Sequence, residues 1–176
     1  MSIHIRPVQL TDAQAITTIY NHYIAHSDAT FEETCINHQE MARRITAITL
    51  DYPWLIAEAN NELFGYAYAG KWKERSAYQH TTEVTVYLSH SATGKGIGKQ
   101  LYQALFEALH TINTNAAAQN PNNIARFHML MAVITLPNPN SVKLHEALGF
   151  SQAGHFQQVG RKFGQWLDVG FWQRPL

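Results

Sequence analysis

Three glycines fall at alternate positions in Thr93-Gly94-Lys95-Gly96-Ile97-Gly98, directly before a stretch in which Leu101, Leu105, Ala108, Leu109 and Ile112 recur at helical spacing. Glycines let a backbone come close to a bound group, and the first N–H groups of the following helix then point at it, which suits a phosphate. Spacing narrows the choice of phosphate site. A Walker A loop needs Gly at 93 and Ser or Thr at 100, where this chain has Thr93 and Gln100. That excludes a nucleotide-hydrolysing P-loop. A Rossmann fingerprint needs a glycine at position 99, which is Lys99, and normally follows the first strand of a parallel unit rather than a mid-chain strand. A dinucleotide site is therefore not expected.

The rest of the chain reads as an alternation of strands and helices. Residues 3–8 form a short strand, and Thr11-Asp12-Ala13-Gln14 predicts a capping-box start to a helix whose Ile16, Ile19, Tyr20, Tyr23 and Ile24 share one face. A second helix is predicted over 38–50, with Met41, Ile45 and Ile48 inward and Pro53 ending it. Strands over 54–59 and 63–71 flank the turn Asn60-Asn61. A strand over 83–89 puts Val84, Val86 and Leu88 on one side and Glu83, Thr85 and Tyr87 on the other. The helix after the glycines is predicted to end near Ile112, and residues 113–123, rich in Asn, Ala and Gln, read as a loop. Residues 129–134 are apolar throughout, as in a central strand covered on both faces. A helix over 141–148 is closed by Gly149, and 157–162 with 167–173 form a last antiparallel pair. The order β-α-α-β-β-β-α-β-α-β-β predicts an α+β fold around one mixed sheet, a single domain over 1–176.

Composition sets limits on function. With 176 residues, 45% hydrophobic, the chain can bury a core without disulfides or metals. Thirteen basic residues balance thirteen acidic ones, so no net field draws it to nucleic acid or an anionic membrane. The single Cys35, flanked by polar residues, points to a reducing compartment and a structural role. No apolar run approaches the ~20 residues of a membrane span, so a soluble cytoplasmic protein is expected. The ten histidines show neither an HExxH nor a paired-ligand spacing, so no metal site is expected.

The glycine segment resembles the acetyl-CoA loop of GNAT N-acetyltransferases, Arg/Gln-x-x-Gly-x-Gly/Ala, with Gly96 and Gly98 at the two small positions and Gly94 and Lys95 at the variable ones. Thr93 departs from the usual Arg or Gln. The resemblance narrows to phosphinothricin acetyltransferases and the related methionine sulfone or sulfoximine acetyltransferases. It is carried by Tyr20-Asn21-His22-Tyr23-Ile24, Trp72-Lys73-x-Arg75-x-Ala77-Tyr78, Glu83-Val84-Thr85-Val86-Tyr87, Leu136-Pro137-Asn138-x-x-Ser141-Val142-x-x-His145-Glu146-Ala147-Leu148-Gly149-Phe150 and Asp168-Val169-Gly170-Phe171-Trp172. It implies the GNAT fold, a mostly antiparallel mixed sheet flanked by helices. It also implies acetyl transfer from acetyl-CoA to a small amino-acid-like amine by direct attack in a ternary complex, and a homodimer.

The resemblance also assigns residues. Glu83 is implied as general base, where burial would raise its pKa usefully, though a glutamate there could instead pair with Arg75. His145 stands where many family members place a tyrosine near the sulfur, and is expected to protonate or hydrogen-bond the departing thiolate; a core histidine is the other reading. The backbone of Val86, Tyr87 and Leu88 is expected to pair with pantetheine. Gly94, Lys95, Gly96, Ile97 and Gly98 are expected to hold the diphosphate, with Asn138 and Ser141 as further contacts, although both residues would also serve as helix caps. Trp72, Arg75, Ser76, Ala77 and Tyr78 are expected in the acceptor pocket, Arg75 facing a carboxylate or phosphinate, with Phe31 and Glu32 lining it from the first inter-helix loop. Two other functions remain open: a non-catalytic acyl-CoA sensor on the same fold, and a peptide or protein N-terminal acetyltransferase.

Overall fold

The structure is a computed structural model that describes residues 3–119 and 125–176. Its strands are β1 (His4–Pro7), β2 (Trp54–Ala59), β3 (Glu62–Lys71), β4 (Thr81–Leu88), β5 (Met129–Leu136), β6 (Ser151–Lys162) and β7 (Gln165–Pro175). Its helices are α1 (Ala13–His26), α2 (His38–Thr49), α3 (Ile97–Gln119) and α4 (Pro139–Ala147). Among the described residues one seven-stranded sheet runs β1-β2-β3-β4-β5-β7-β6, and its only parallel pair is β4 with β5. The α+β order read from the sequence is the order found.

Each face of the sheet carries its own core. Ile16, Ile24, Met41 and Ile45 of α1 and α2 pack on Ile56 and Tyr66, while Leu101, Leu105 and Leu109 of α3 pack on Ala67, Val84 and Leu130 on the opposite side. The β2–β3 turn has Asn60 at φ 50 and Asn61 at φ 63, and the β6–β7 turn has Phe163 at φ 49 and Gly164 at φ 79. Both are two-residue turns whose residues sit at positive φ, the geometry that matches the right-handed twist of the strands they join.

Four expectations are corrected. The Thr11/Gln14 capping box does not form: a 3-10 turn, Leu10–Asp12, precedes α1, and Asp12 Oδ2 accepts the Gln9 N–H at 2.7 Å. Arg6 fixes that carboxylate with bonds of 2.8 and 2.9 Å to its two oxygens while also holding Glu58. Residues 113–119, read as a loop, continue α3. Ala116 to Ala118 are strong helix formers. Asn113 is held by Phe127, donating from Nδ2 to its carbonyl at 2.7 Å and accepting its N–H at 2.9 Å. Positions 120–123 of that predicted loop lie outside the described residues. The last two strands are longer than their apolar pattern suggested. Finally, β5 is not covered throughout, because Val133 is 39% exposed, and the cause of that exposure locates the site.

Candidate active site

Strands β4 and β5 are paired for three residues only, Thr81 with Met129, Thr82 with Leu130 and Glu83 with Met131. Beyond Glu83 they part. β4 goes on pairing with β3 up to Leu88, and β5 with β7 up to Leu136, so each strand turns one unpaired backbone edge toward the other. Buried backbone N–H and C=O groups need partners. An extended ligand with its own amides would supply them. The fork opens into a cavity of about 610 Å3 lined by Val84 to Leu88, by Val133, Ile134 and Thr135, by the glycine turn and by the start of α4.

The glycine turn closes one end. Gly94 and Gly96 sit at φ 77 and 76, a region that L side chains enter at a cost, and a Cβ at either would meet nothing within 4 Å. The glycines are therefore there for backbone shape and for an open approach. Gln100 N–H reaches back to Gly96 O at 3.2 Å, and the helix amides before it point outward without intrahelical acceptors. Helix geometry makes such a turn suited to an anion. Gly98 does different work: a Cβ there would press on Leu144 at 3.3 Å and Leu88 at 3.4 Å, so glycine lets α3 approach α4 and β4. Gly94, Gly96 and Gly98 line the cavity together with Thr93 and Lys99, whereas Lys95 and Ile97 do not. The donor set and the open turn fit a diphosphate on a flexible, amide-bearing arm.

Three titratable groups lie by the fork: Tyr102 and His145 line the cavity, and Glu83, in the last β4–β5 pair, is outside its lining. Glu83 is half-buried on the α1–α2 face, and burial pushes its carboxyl above the ordinary 4.5, with Lys73 opposing. It makes no ion pair among the described residues, with Arg75 or any other cation. His145 is only 3% exposed. Its Nδ1 lies 2.8 Å from the Ser141 carbonyl, which can only accept, so Nδ1 carries the proton and neutral Nε2 takes the Tyr102 O–H at 3.0 Å. Burial holds the imidazole below its ordinary pKa, against the pull of the Ser141 carbonyl. As placed, the neutral ring has no spare proton on Nε2. The pair becomes a donor when it takes up a proton, which an anionic sulfur beside it would favour.

Tyr102 was not singled out from the sequence. It sits one helical turn after Gly98 on the inward face of α3, fully buried, with its hydroxyl also 3.4 Å from Val84 O, the first β4 carbonyl past the fork. The signal was its spacing from the glycine turn. Both it and His145 line the cavity.

The remaining predicted residues divide into groups. Val86, Tyr87, Leu88, Asn138 and Ser141 line the cavity, and Asn138 also caps α4 by accepting the Ser141 N–H at 3.1 Å. Trp72 lies edge-to-face on Phe171, centroids 5.9 Å apart, under the Lys73 ammonium. Arg75 and Ser76 border a different depression with Asp51 and Arg126, and Ala77 and Tyr78 are exposed beside them, so these four do not meet the cavity in one chain. Glu32 is bound by Arg44 at 2.7 and 3.2 Å and by the Tyr20 O–H at 2.8 Å. Phe31 is half-exposed and its ring covers Gly160.

Residues 5–170 match the family model described as "Acetyltransferase (GNAT) domain", and the chain belongs to that family: it is an acetyltransferase. Among curated relatives it is 41% identical to the phosphinothricin N-acetyltransferase of Streptomyces viridochromogenes over 99% of this chain and 88% of that one. It is 37% identical to the L-methionine sulfoximine/L-methionine sulfone acetyltransferase of Pseudomonas aeruginosa, over 100% of this chain and 96% of the relative. Among solved structures it resembles a phosphinothricin acetyltransferase of Sinorhizobium meliloti in complex with AcCoA, with a TM-score of 0.89 and 37% identity, covering 100% of this chain and 89% of the other.

Proposed function

We propose that the protein moves acetyl from acetyl-CoA to the α-amino group of a small amino-acid analogue such as phosphinothricin, methionine sulfoximine or methionine sulfone, by direct attack in a ternary complex. The parting of β4 from β5 after Glu83, with the glycine turn at its mouth, carries this reading. Bound acetyl-CoA supplies an activated thioester. The chain's residues do the rest. Amides of the turn spanning Gly94 to Gly98 hold the diphosphate, and the free edge at Val86, Tyr87 and Leu88 pairs with the arm and polarises the thioester oxygen. Glu83 takes the proton that the attacking nitrogen loses, directly or through a water, and its burial keeps it basic enough to do so. Tyr102 and His145 hydrogen-bond or protonate the departing sulfur. No covalent enzyme intermediate is involved, and Cys35, exposed on the loop before α2, stands apart from the reaction.

The acceptor lies on the α1–α2 side, with Phe31, Glu32 and Trp72 about it. The one-domain chain works as a homodimer: Phe156, Val159, Phe163 and Trp166 are all exposed on the β6–β7 hairpin at the sheet edge, an apolar surface that a second copy would cover. Arg75, Ser76, Ala77 and Tyr78 contribute to acceptor binding in that assembly. Among the described residues no helix is long and apolar enough to cross a membrane, and a free exposed cysteine suits the reducing cytoplasm. A direct test is release of free thiol from acetyl-CoA. Turnover is expected with methionine sulfone or phosphinothricin, and tight acetyl-CoA binding without turnover on any amine would leave only the sensor reading.

A further inference from the structure

Lys162 ends β6 and is 2% exposed, yet it has no carboxylate partner among the described residues. Its ammonium instead donates to three main-chain carbonyls, Ser27 at 2.7 Å, Thr30 at 2.7 Å and Tyr23 at 3.5 Å. Two of these belong to the C-terminal end of α1, where the helix dipole favours a cation, the Tyr23 carbonyl also accepting the Ser27 N–H at 3.0 Å; the third belongs to the segment that leads into Phe31 and Glu32. A buried ammonium is costly unless fully hydrogen-bonded. Here the three carbonyls use its three N–H donors, so the arrangement holds only with the α1–α2 segment in this one conformation.

A second contact joins the same two elements. Gly160, two residues earlier on β6, is buried under the Phe31 ring so closely that a Cβ would overlap the ring. From below, the Thr30 hydroxyl lies 3.0 Å from Tyr20 Oη, and Arg44 holds Glu32. The segment is thus fastened to α1 and α2 by Tyr20 and Arg44, and to the far end of the sheet by Lys162 and Gly160.

We propose that Lys162 is a positioning residue for the amine-acceptor side of the active site, holding the Thr30–Phe31–Glu32 segment against the β6–β7 hairpin. This rests on the acceptor reading given above. Lys162 touches neither substrate. Two of its partners, Tyr23 and Ser27, line the cavity, whereas Thr30, Phe31 and Glu32 do not; its effect is expected to reach the reaction through that outer segment and to fall on the acceptor.

The test compares K162M and G160A with the parent protein, measuring acceptor KM with methionine sulfone by thiol release and the acetyl-CoA Kd by calorimetry. K162M removes the ammonium, and G160A leaves it in place while displacing Phe31. Both are expected to raise acceptor KM about tenfold or more, and to keep acetyl-CoA Kd within about twofold. If K162M does not fold, K162R decides by the same two readings, because its guanidinium keeps the charge but does not fit the three carbonyls that the ammonium holds. Folded variants with parental acceptor KM, or with acetyl-CoA binding weakened as much as acceptor binding, would overturn the proposal. A parent protein that binds acetyl-CoA but turns over no amino-acid analogue would show instead that the acceptor reading is wrong, and the Lys162 role would fall with it.

Discussion

At the scale of single residues, the proposed chemistry rests on burial acting differently on two groups. Burial raises the Glu83 carboxyl and lowers the His145 imidazole, because each is pushed toward its neutral form. A base must be ionised to accept a proton. The rate is therefore expected to rise with pH through a midpoint above the ordinary carboxylate value of 4.5. Glu83→Gln should remove that limb and lower kcat/KM by a factor on the order of 10² to 10⁴. A pH–rate profile of parent and variant checks both points. Tyr102→Phe and His145→Phe should each lower kcat by a factor on the order of 10² with little change in acetyl-CoA KM; parental turnover in folded variants would leave the pair a purely structural role. The role proposed for Glu83 came from strand alternation together with family resemblance. Tyr102 carried only its spacing from the glycine turn as a signal, because its contact with His145 spans 43 positions of chain. Lys162 was hidden for the same reason: its partners lie more than 130 residues away.

At the scale of elements, the sequence read well where local chemistry decides and poorly where a distant contact does. The Asn60-Asn61 turn and the cap of α4 by Asn138 follow from residue types with known local preferences, and both are present. The start of α1 was displaced because Arg6, on another element, claims Asp12. The end of α3 was misread because Asn113 looked like a loop residue until Phe127 supplied both of its hydrogen bonds. The exposure of Val133 belongs to the same class: an apolar strand gives no sign that its neighbour turns away halfway along. The β6–β7 hairpin yields a prediction of its own. Trp166 is 62% exposed at its tip. If a second copy covers that surface, Trp166→Glu should shift sedimentation from dimer toward monomer while leaving the monomer folded, and an unchanged dimer would place the interface elsewhere.

At the scale of the whole molecule, ion pairs join the β1 edge to the start of α1, and α2 to the loop before it, and make stability depend on acid. Burial pushes Asp12 up, but bonds from Arg6 and the Gln9 amide outweigh it, and the carboxyl is held below its ordinary 3.8. Glu32 is lowered against the same burial by Arg44 and Tyr20. A depressed pKa in the folded state contributes stability that is fully present above the unfolded value, about 4, and is lost as pH falls through the folded one. Asp12→Asn should therefore lower Tm at neutral pH, and the gap to the parent should close in strong acid. Thermal melts across pH check this; a gap that does not narrow would mean the Arg6 pairing contributes nothing.

The same large-scale geometry underlies the proposal, since the sheet splits after Glu83 and the glycine turn lines the cavity that opens there. The most direct measurement is a crystal structure of the protein with bound coenzyme A. The expected result is a diphosphate about 3 Å from the amides of Gly94 to Gly98, an arm paired along Val86 to Leu88, and a sulfur beside Tyr102 and His145 within reach of Glu83. A coenzyme bound anywhere outside the fork, with the glycine turn making no contact to its phosphates, would contradict it.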